Sequence, residues 1–218
     1  MDKNFLMVKR CLFPLQLLKK MQELLSLIPK NSRSQVKKIL KDSNVLIKIT
    51  KKRITKHGDF IKKIDTTSLI TINITSNPFR FLITLLHELA HFKVSQSHQY
   101  RVKPHGLEWK LAYRKILLPF LNPNIFPEPI CGLLAHHMKN PKASTDRDFD
   151  LVMALRDYDP PSKNILIMEI KNGKEFILEN GRVFVKIKQR RKLFECIEKA
   201  TGKVYIFSPN SEVKPLNS

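Results

Sequence analysis

The chain has 218 residues, 42% of them hydrophobic, enough for one large domain or for one domain with a small appendage. Its 40 Lys and Arg against 19 Asp and Glu give a formal charge of +21, an excess that favours a polyanionic partner, nucleic acid foremost, and says nothing about fold. No run approaches the roughly 18 apolar residues of a membrane span, and Cys11, Cys131 and Cys196 lack any C-x-x-C spacing, which suits free thiols in a reducing, cytoplasmic setting.

From Pro14 to Ile28, Leu15, Leu18, Met21, Leu24, Leu25 and Ile28 recur at helical spacing, and Pro29-Lys30-Asn31 stops the run. The earlier apolar stretches are broken by Lys9-Arg10, and no small-residue cleavage site follows, so no signal peptide is expected. Ser32 or Ser34 is expected to cap a second helix through Val36, Ile39 and Leu40. The lysines on the outer side of this pair (Lys19, Lys20, Lys37, Lys38, Lys41) suit either a solvated face or phosphate contact. Val45, Ile47 and Ile49 alternate in a strand over residues 44–52. Lys51, Lys52, Arg53 and Lys56 follow. They are candidate nucleic-acid contacts, or else a charged edge that resists aggregation. His57-Gly58-Asp59 is expected to be a turn, and residues 69–75 the next strand.

Asn77 is a good N-cap and Pro78 fits the first position of a helix that meets no Gly or Pro until Pro104. Its first turns are nearly all apolar, which predicts burial. Within it stands His87-Glu88-Leu89-Ala90-His91, an HExxH. Positions i and i+4 share a helix face, so His87 and His91 can reach one metal ion, and Glu88 lies beside a water bound there. A buried helix carrying His, Glu and His needs a reason, because unpaired polar groups cost free energy in a core. Zinc needs a third protein ligand and keeps its fourth position open when catalytic. Val94 and Ser97 stand where a metzincin has Gly and His, which excludes that class. The remaining candidates are His98, His105 and Glu108.

Residues 107–121 predict another amphipathic helix, with Trp109 packed against the HExxH helix. Residues 122–129 form a loop with three prolines. Residues 131–138 predict a short helix whose His136 and His137 belong on the surface. Ser144 or Thr145 is expected to cap a helix over 146–156. Asp159-Pro160-Pro161-Ser162 marks a boundary, giving domains 1–158 and 159–218. Beyond it the reading is strands at 165–170, 176–178, 183–187, 193–197 and a last one at 204–207. Asn172-Gly173, Asn180-Gly181 and Thr201-Gly202 are the turns, so the whole reads as a small antiparallel sheet or partial barrel. Arg190, Arg191 and Lys192 are the second group of nucleic-acid candidates. The aromatics interleaved with them, Phe184 and Phe194, fit the core of the sheet better than a stacking platform.

The HELAH motif followed by His105-Gly106-Leu107-Glu108-Trp109 resembles the SprT family of metallopeptidases, which includes the Spartan DNA-dependent proteases. Arg53-Ile54-Thr55-Lys56-His57-Gly58 is similar to the R-x-T-x-x-G segment of that family. The resemblance is good over about residues 40–120 and looser elsewhere. It implies an α+β, zincin-like minimal metalloprotease domain with one Zn²⁺ on His87, His91 and His105, and Glu88 as catalytic base. It further implies proteolysis of DNA-bound or crosslinked proteins. Many SprT-like proteins end in a zinc ribbon with two cysteine pairs; here only Cys196 remains, so the C-terminal sheet carries no such metal. A monomer is expected. The rival reading is a non-catalytic nucleic-acid-binding or regulatory protein with a structural zinc, against which stands an intact Glu88 that no structural site requires.

Overall fold

A computed structural model describes residues 18–41, 43–53, 56–63, 67–98 and 102–216. Cys11, Pro14 and Leu15 of the N-terminal expectations lie outside them. The described residues are mixed α+β and divide into two units, Met1–Asp159 and Pro160–Ser218.

The described residues of the first unit begin in helix α1 (described over residues 18–26), and a 3-10 turn at Lys30–Ser32 runs directly into α2 (Arg33–Lys41). Pro29 therefore precedes the helical segment, and neither Ser32 nor Ser34 starts it. The buried Ser32 hydroxyl donates back to Pro29 O at 2.7 Å. Leu24, Leu25, Ile28, Val36 and Leu40 join the core, while Lys19, Lys20, Lys37, Lys38 and Lys41 are exposed.

Strands β1 (Val45–Thr50), β2 (Gly58–Ile61) and β3 (Ser68–Asn73) make a sheet in the order β1-β3-β2. β1 runs parallel to β3 and β2 antiparallel. The expected turn at His57-Gly58-Asp59 is thus the start of an edge strand. Glycine is disfavoured in strands, so local preference reads a turn, but pairing with β3 overrides it. Helix α3 (Pro78–Ser97) packs against β2, β3 and α4 (Leu107–Leu117). Phe81, Leu82, Leu85, Leu86 and Leu89 are all 0% exposed, each such side chain contributing about 1.5–3 kcal/mol relative to exposure. α4 is shorter than expected. Pro119 lacks the N–H that a continued α-turn would donate, and residues 118–120 tighten to a 3-10 turn.

α5 (Ile130–Lys139) brings a further correction, because His137 is buried and its Nδ1 lies 2.8 Å from Asp148 Oδ2. The pairing with Asp148 is what takes this histidine off the surface. Ser144 caps a 3-10 turn at Thr145–Arg147, and α6 (Phe149–Arg156) begins only after it.

The second unit is a six-stranded sheet. β4 (Ile165–Leu166) is short and gives way to a 3-10 turn at Ile167–Glu169, where an extended strand was expected. β5 (Glu175–Ile177), β6 (Val183–Arg190), β7 (Leu193–Glu198) and β8 (Val204–Phe207) follow as a meander. The expected last strand is not the last. β9 (Glu212–Pro215) returns to sit between β4 and β5, with Val213 buried. Phe176, Phe184, Phe194 and Cys196 form this unit's own core. Lys186 is 3% exposed and donates to the carbonyls of Ile167 (3.0 Å) and Ile170 (2.6 Å), which explains both the break in β4 and the burial of a lysine.

Candidate metal centre

α3 owes its start to its cap. Asn77 accepts from the N–H groups of Phe79 and Arg80, with Pro78 at the first position. The same side chain donates to Leu155 O and Asp159 Oδ1, both at 2.7 Å, which anchors the helix to the end of α6. From that anchor His87 and His91 fall one above the other on a single face.

His105 reaches the same point from a separate segment. Its φ is +57°, in the left-handed region, where a residue other than glycine is strained by about 1–3 kcal/mol. Gly106 then caps α4, and its N–H donates to Lys103 O at 2.9 Å. This turn aims the imidazole at α3. The Nε2 atoms of His87, His91 and His105 lie 3.1, 3.3 and 3.0 Å apart. Three protons cannot satisfy such a triangle, because a neutral ring nitrogen that donates has no lone pair left to accept. A cation satisfies all three at once. Tetrahedral coordination at about 2.05 Å sets nitrogen ligands roughly 3.3 Å apart, close to what is found. The triad can therefore hold a metal ion.

Burial favours the ligand form of these rings. Desolvation, then the neighbouring histidines, push His87 down to about 2. Desolvation and His105 lower His91 to about 4, and desolvation also lowers His105. Trp109, 1% exposed, packs its ring 4.6 Å from that of His87 and 4.7 Å from that of His105, and stacks on Tyr113. The indole thus fixes ring orientations and is part of the floor of the site. The other two ligand candidates lie outside the triad. His98 caps the end of α3, with Nδ1 3.1 Å from Val94 O, and Glu108 turns toward Gly106.

Glu88 stands beside the triad, 6% exposed. Desolvation, then the charge of Asp59, raise its carboxyl to about 8, while Arg53 and Lys56 oppose the shift. A cation on the triad would oppose it further. All four residues line one cavity of about 580 Å³. One wall is residues 56–60 of and before β2. The other includes residues 143–146, whose Asp146 Oδ2 is 2.7 Å from His57 Nε2. That hydrogen bond is the chief reason His57 titrates above its ordinary value. Sequence reasoning placed neither His57 nor Asp146 at the site, since they are 89 residues apart.

Among the described residues β2 is an edge strand of its sheet, and it lines the cavity. Asn73 N donates to His57 O at 2.8 Å, so the ladder to β3 continues through Asp59 and Ile61. In an antiparallel pair bonded residues alternate, which leaves the N–H and C=O groups of Gly58 and Phe60 directed outward.

The basic candidates separate into different roles. Lys51 and Lys52 are exposed. Lys56 is 2.6 Å from Asp59 at the cavity wall. Arg53 is half-buried and tied inward, its Nε donating to Asn73 Oδ1 (2.7 Å) and its Nη1 to Thr71 Oγ1 (3.0 Å). Arg190, Arg191 and Lys192 are exposed at the β6–β7 turn of the second unit, and Arg190 lies 3.8 Å from Glu195.

Comparison with protein-family models, with curated proteins and with solved structures gives no match.

Proposed function

We propose that the chain is a zinc-dependent metallopeptidase of the SprT-like kind, with a zincin-like first unit, acting on proteins associated with nucleic acid. The observation that carries this reading is the convergence of three imidazole Nε2 atoms at 3.0–3.3 Å beside a buried carboxyl in an open cavity. Among the described residues the ligand group has three members, which suits a metal that keeps one position for water or substrate. Zinc bound there supplies Lewis acidity toward a carbonyl and lowers the pKa of water.

The chain's own residues do the rest. His87, His91 and His105 remain neutral and orient their ring nitrogens. Glu88 takes a proton from the attacking water and returns it to the leaving amine. The outward groups of Gly58 and Phe60 hold an extended segment of substrate by strand addition. The +21 charge, concentrated in residues 1–65 with 17 basic against 5 acidic side chains, supports a nucleic-acid partner.

The deciding experiment is cleavage of a DNA-binding protein with and without DNA, comparing wild type with Glu88→Gln. The variant is expected to keep zinc and lose cleavage. Equal cleavage by both would remove Glu88 as base, and a wild-type protein that binds zinc but cleaves nothing would favour a structural role for the metal.

A further inference from the structure

We propose that Gly58, held by a clamp between Arg53 and Asn73, is a positioning residue for the Glu88 carboxyl. The catalytic meaning rests on the peptidase reading; the geometry stands on packing alone. A methyl group at Gly58 would lie 2.6 Å from Glu88 Oε1, 2.8 Å from Glu88 Cγ and 2.9 Å from Thr84 Cγ2. Glycine is needed here for space and not for conformation. The positive-φ glycines of the described residues are Gly173, Gly181 and Gly202, whereas Gly58 pairs with Ile72 in an extended strand.

The backbone of Gly58 is therefore one wall of the seat in which the carboxyl rests, and that wall is braced from behind. Arg53 grips Asn73 Oδ1 and Thr71 Oγ1 on β3. Asn73 Nδ2 in turn donates to Arg53 O (3.1 Å) and Lys56 O (2.7 Å), and Asn73 N to His57 O (2.8 Å). These bonds secure the chain on the approach to Gly58. β2 cannot retreat from α3 without breaking them, and the carboxyl cannot swing toward β2 without striking its backbone. The edge that would carry substrate and the base that would act on it are thus held in one register.

Two measurements test this. In the zinc-loaded protein, Gly58→Ala is expected to retain the metal, because no ligand is touched. Its kcat should fall about a hundredfold with KM near wild type, the effect of displacing a reacting group by about 1 Å. Arg53→Lys, which loses the planar fork, should also lower kcat more than KM. In the metal-free protein, thermal denaturation reads the seat without any activity. Gly58→Ala should lower the midpoint by several degrees, where an unobstructed Gly→Ala change would raise it. Adding Glu88→Ala to the same chain should shrink that penalty. An unchanged kcat in Gly58→Ala, or an equal penalty in both backgrounds, overturns the proposal. If the wild-type protein cleaves nothing, the peptidase reading fails and the catalytic role of Gly58 falls with it, whatever the melting points show.

Discussion

His105 is the residue on which the candidate metal site depends. His87 and His91 are paired by helix geometry alone, whereas His105 is brought in by a left-handed turn between Pro104 and Gly106. Such strain persists where the surroundings enforce it. His105→Ala is expected to reduce bound zinc from about one per chain to a weak two-histidine remnant, while Glu108→Ala keeps the full complement, as measured by atomic emission on dialysed protein. Retention of zinc by His105→Ala would move the third ligand elsewhere.

At the scale of elements, two capping and pairing arrangements make separate predictions. Asn77 is 0% exposed, starts α3 and joins it to α6. Asn77→Ala leaves the N–H groups of Phe79 and Arg80 without their cap and removes the bonds to Leu155 O and Asp159, and should cost about 2 kcal/mol by denaturant titration. In the second unit, Glu198 on β7 accepts from Arg182 Nε at 2.6 Å and from the Thr201 hydroxyl. The Arg182 hydrogen bond is the main cause of a carboxyl lowered to about 2. A depressed acid stabilises the fold above its unfolded pKa and loses that contribution as pH falls toward the folded value. Stability of this unit should therefore drop between about pH 4.5 and 2. Glu198→Gln should flatten that limb in acid titrations followed by the strand signal in circular dichroism.

At the scale of the whole molecule the prominent feature is charge. The exposed lysines of α1 and α2, with Lys51 and Lys52, belong to the first unit, and Arg190, Arg191 and Lys192 to the second. If both bind phosphate, affinity for nucleic acid should fall steeply with salt. Each contact contributes roughly −0.7 to the slope of log K against log salt on single strands and −0.9 on duplex. Changing Lys51 and Lys52 to Glu should flatten the slope without loss of zinc, and so should the same change at Arg190, Arg191 and Lys192. Arg53 does not belong in the first set, since its removal would loosen β2 as well. A binding constant indifferent to salt would mean that these side chains do not contact phosphate.

The HExxH helix, its Asn-Pro start and the three candidate third ligands were legible because they depend on local spacing and on a 3.6-residue period. The turns at Gly173, Gly181 and Gly202 were legible for the same reason, each being set by a few consecutive residues, whereas the α+β class came from the resemblance. What the sequence by itself could not decide involves partners far along the chain. Gly58 reads as a turn residue until β3 pairs with it and Glu88 fills the space a side chain would need. Arg53 reads as a surface cation until Asn73 and Thr71 are seen as its acceptors. His137 reads as exposed until Asp148 is found beside it, and only packing supplies the carbonyl acceptors that the buried Lys186 requires. Local periodicity reports which face of an element is apolar. Only the tertiary structure decides which polar side chain is satisfied inside, because a buried donor needs a specific acceptor and that acceptor is a long-range neighbour.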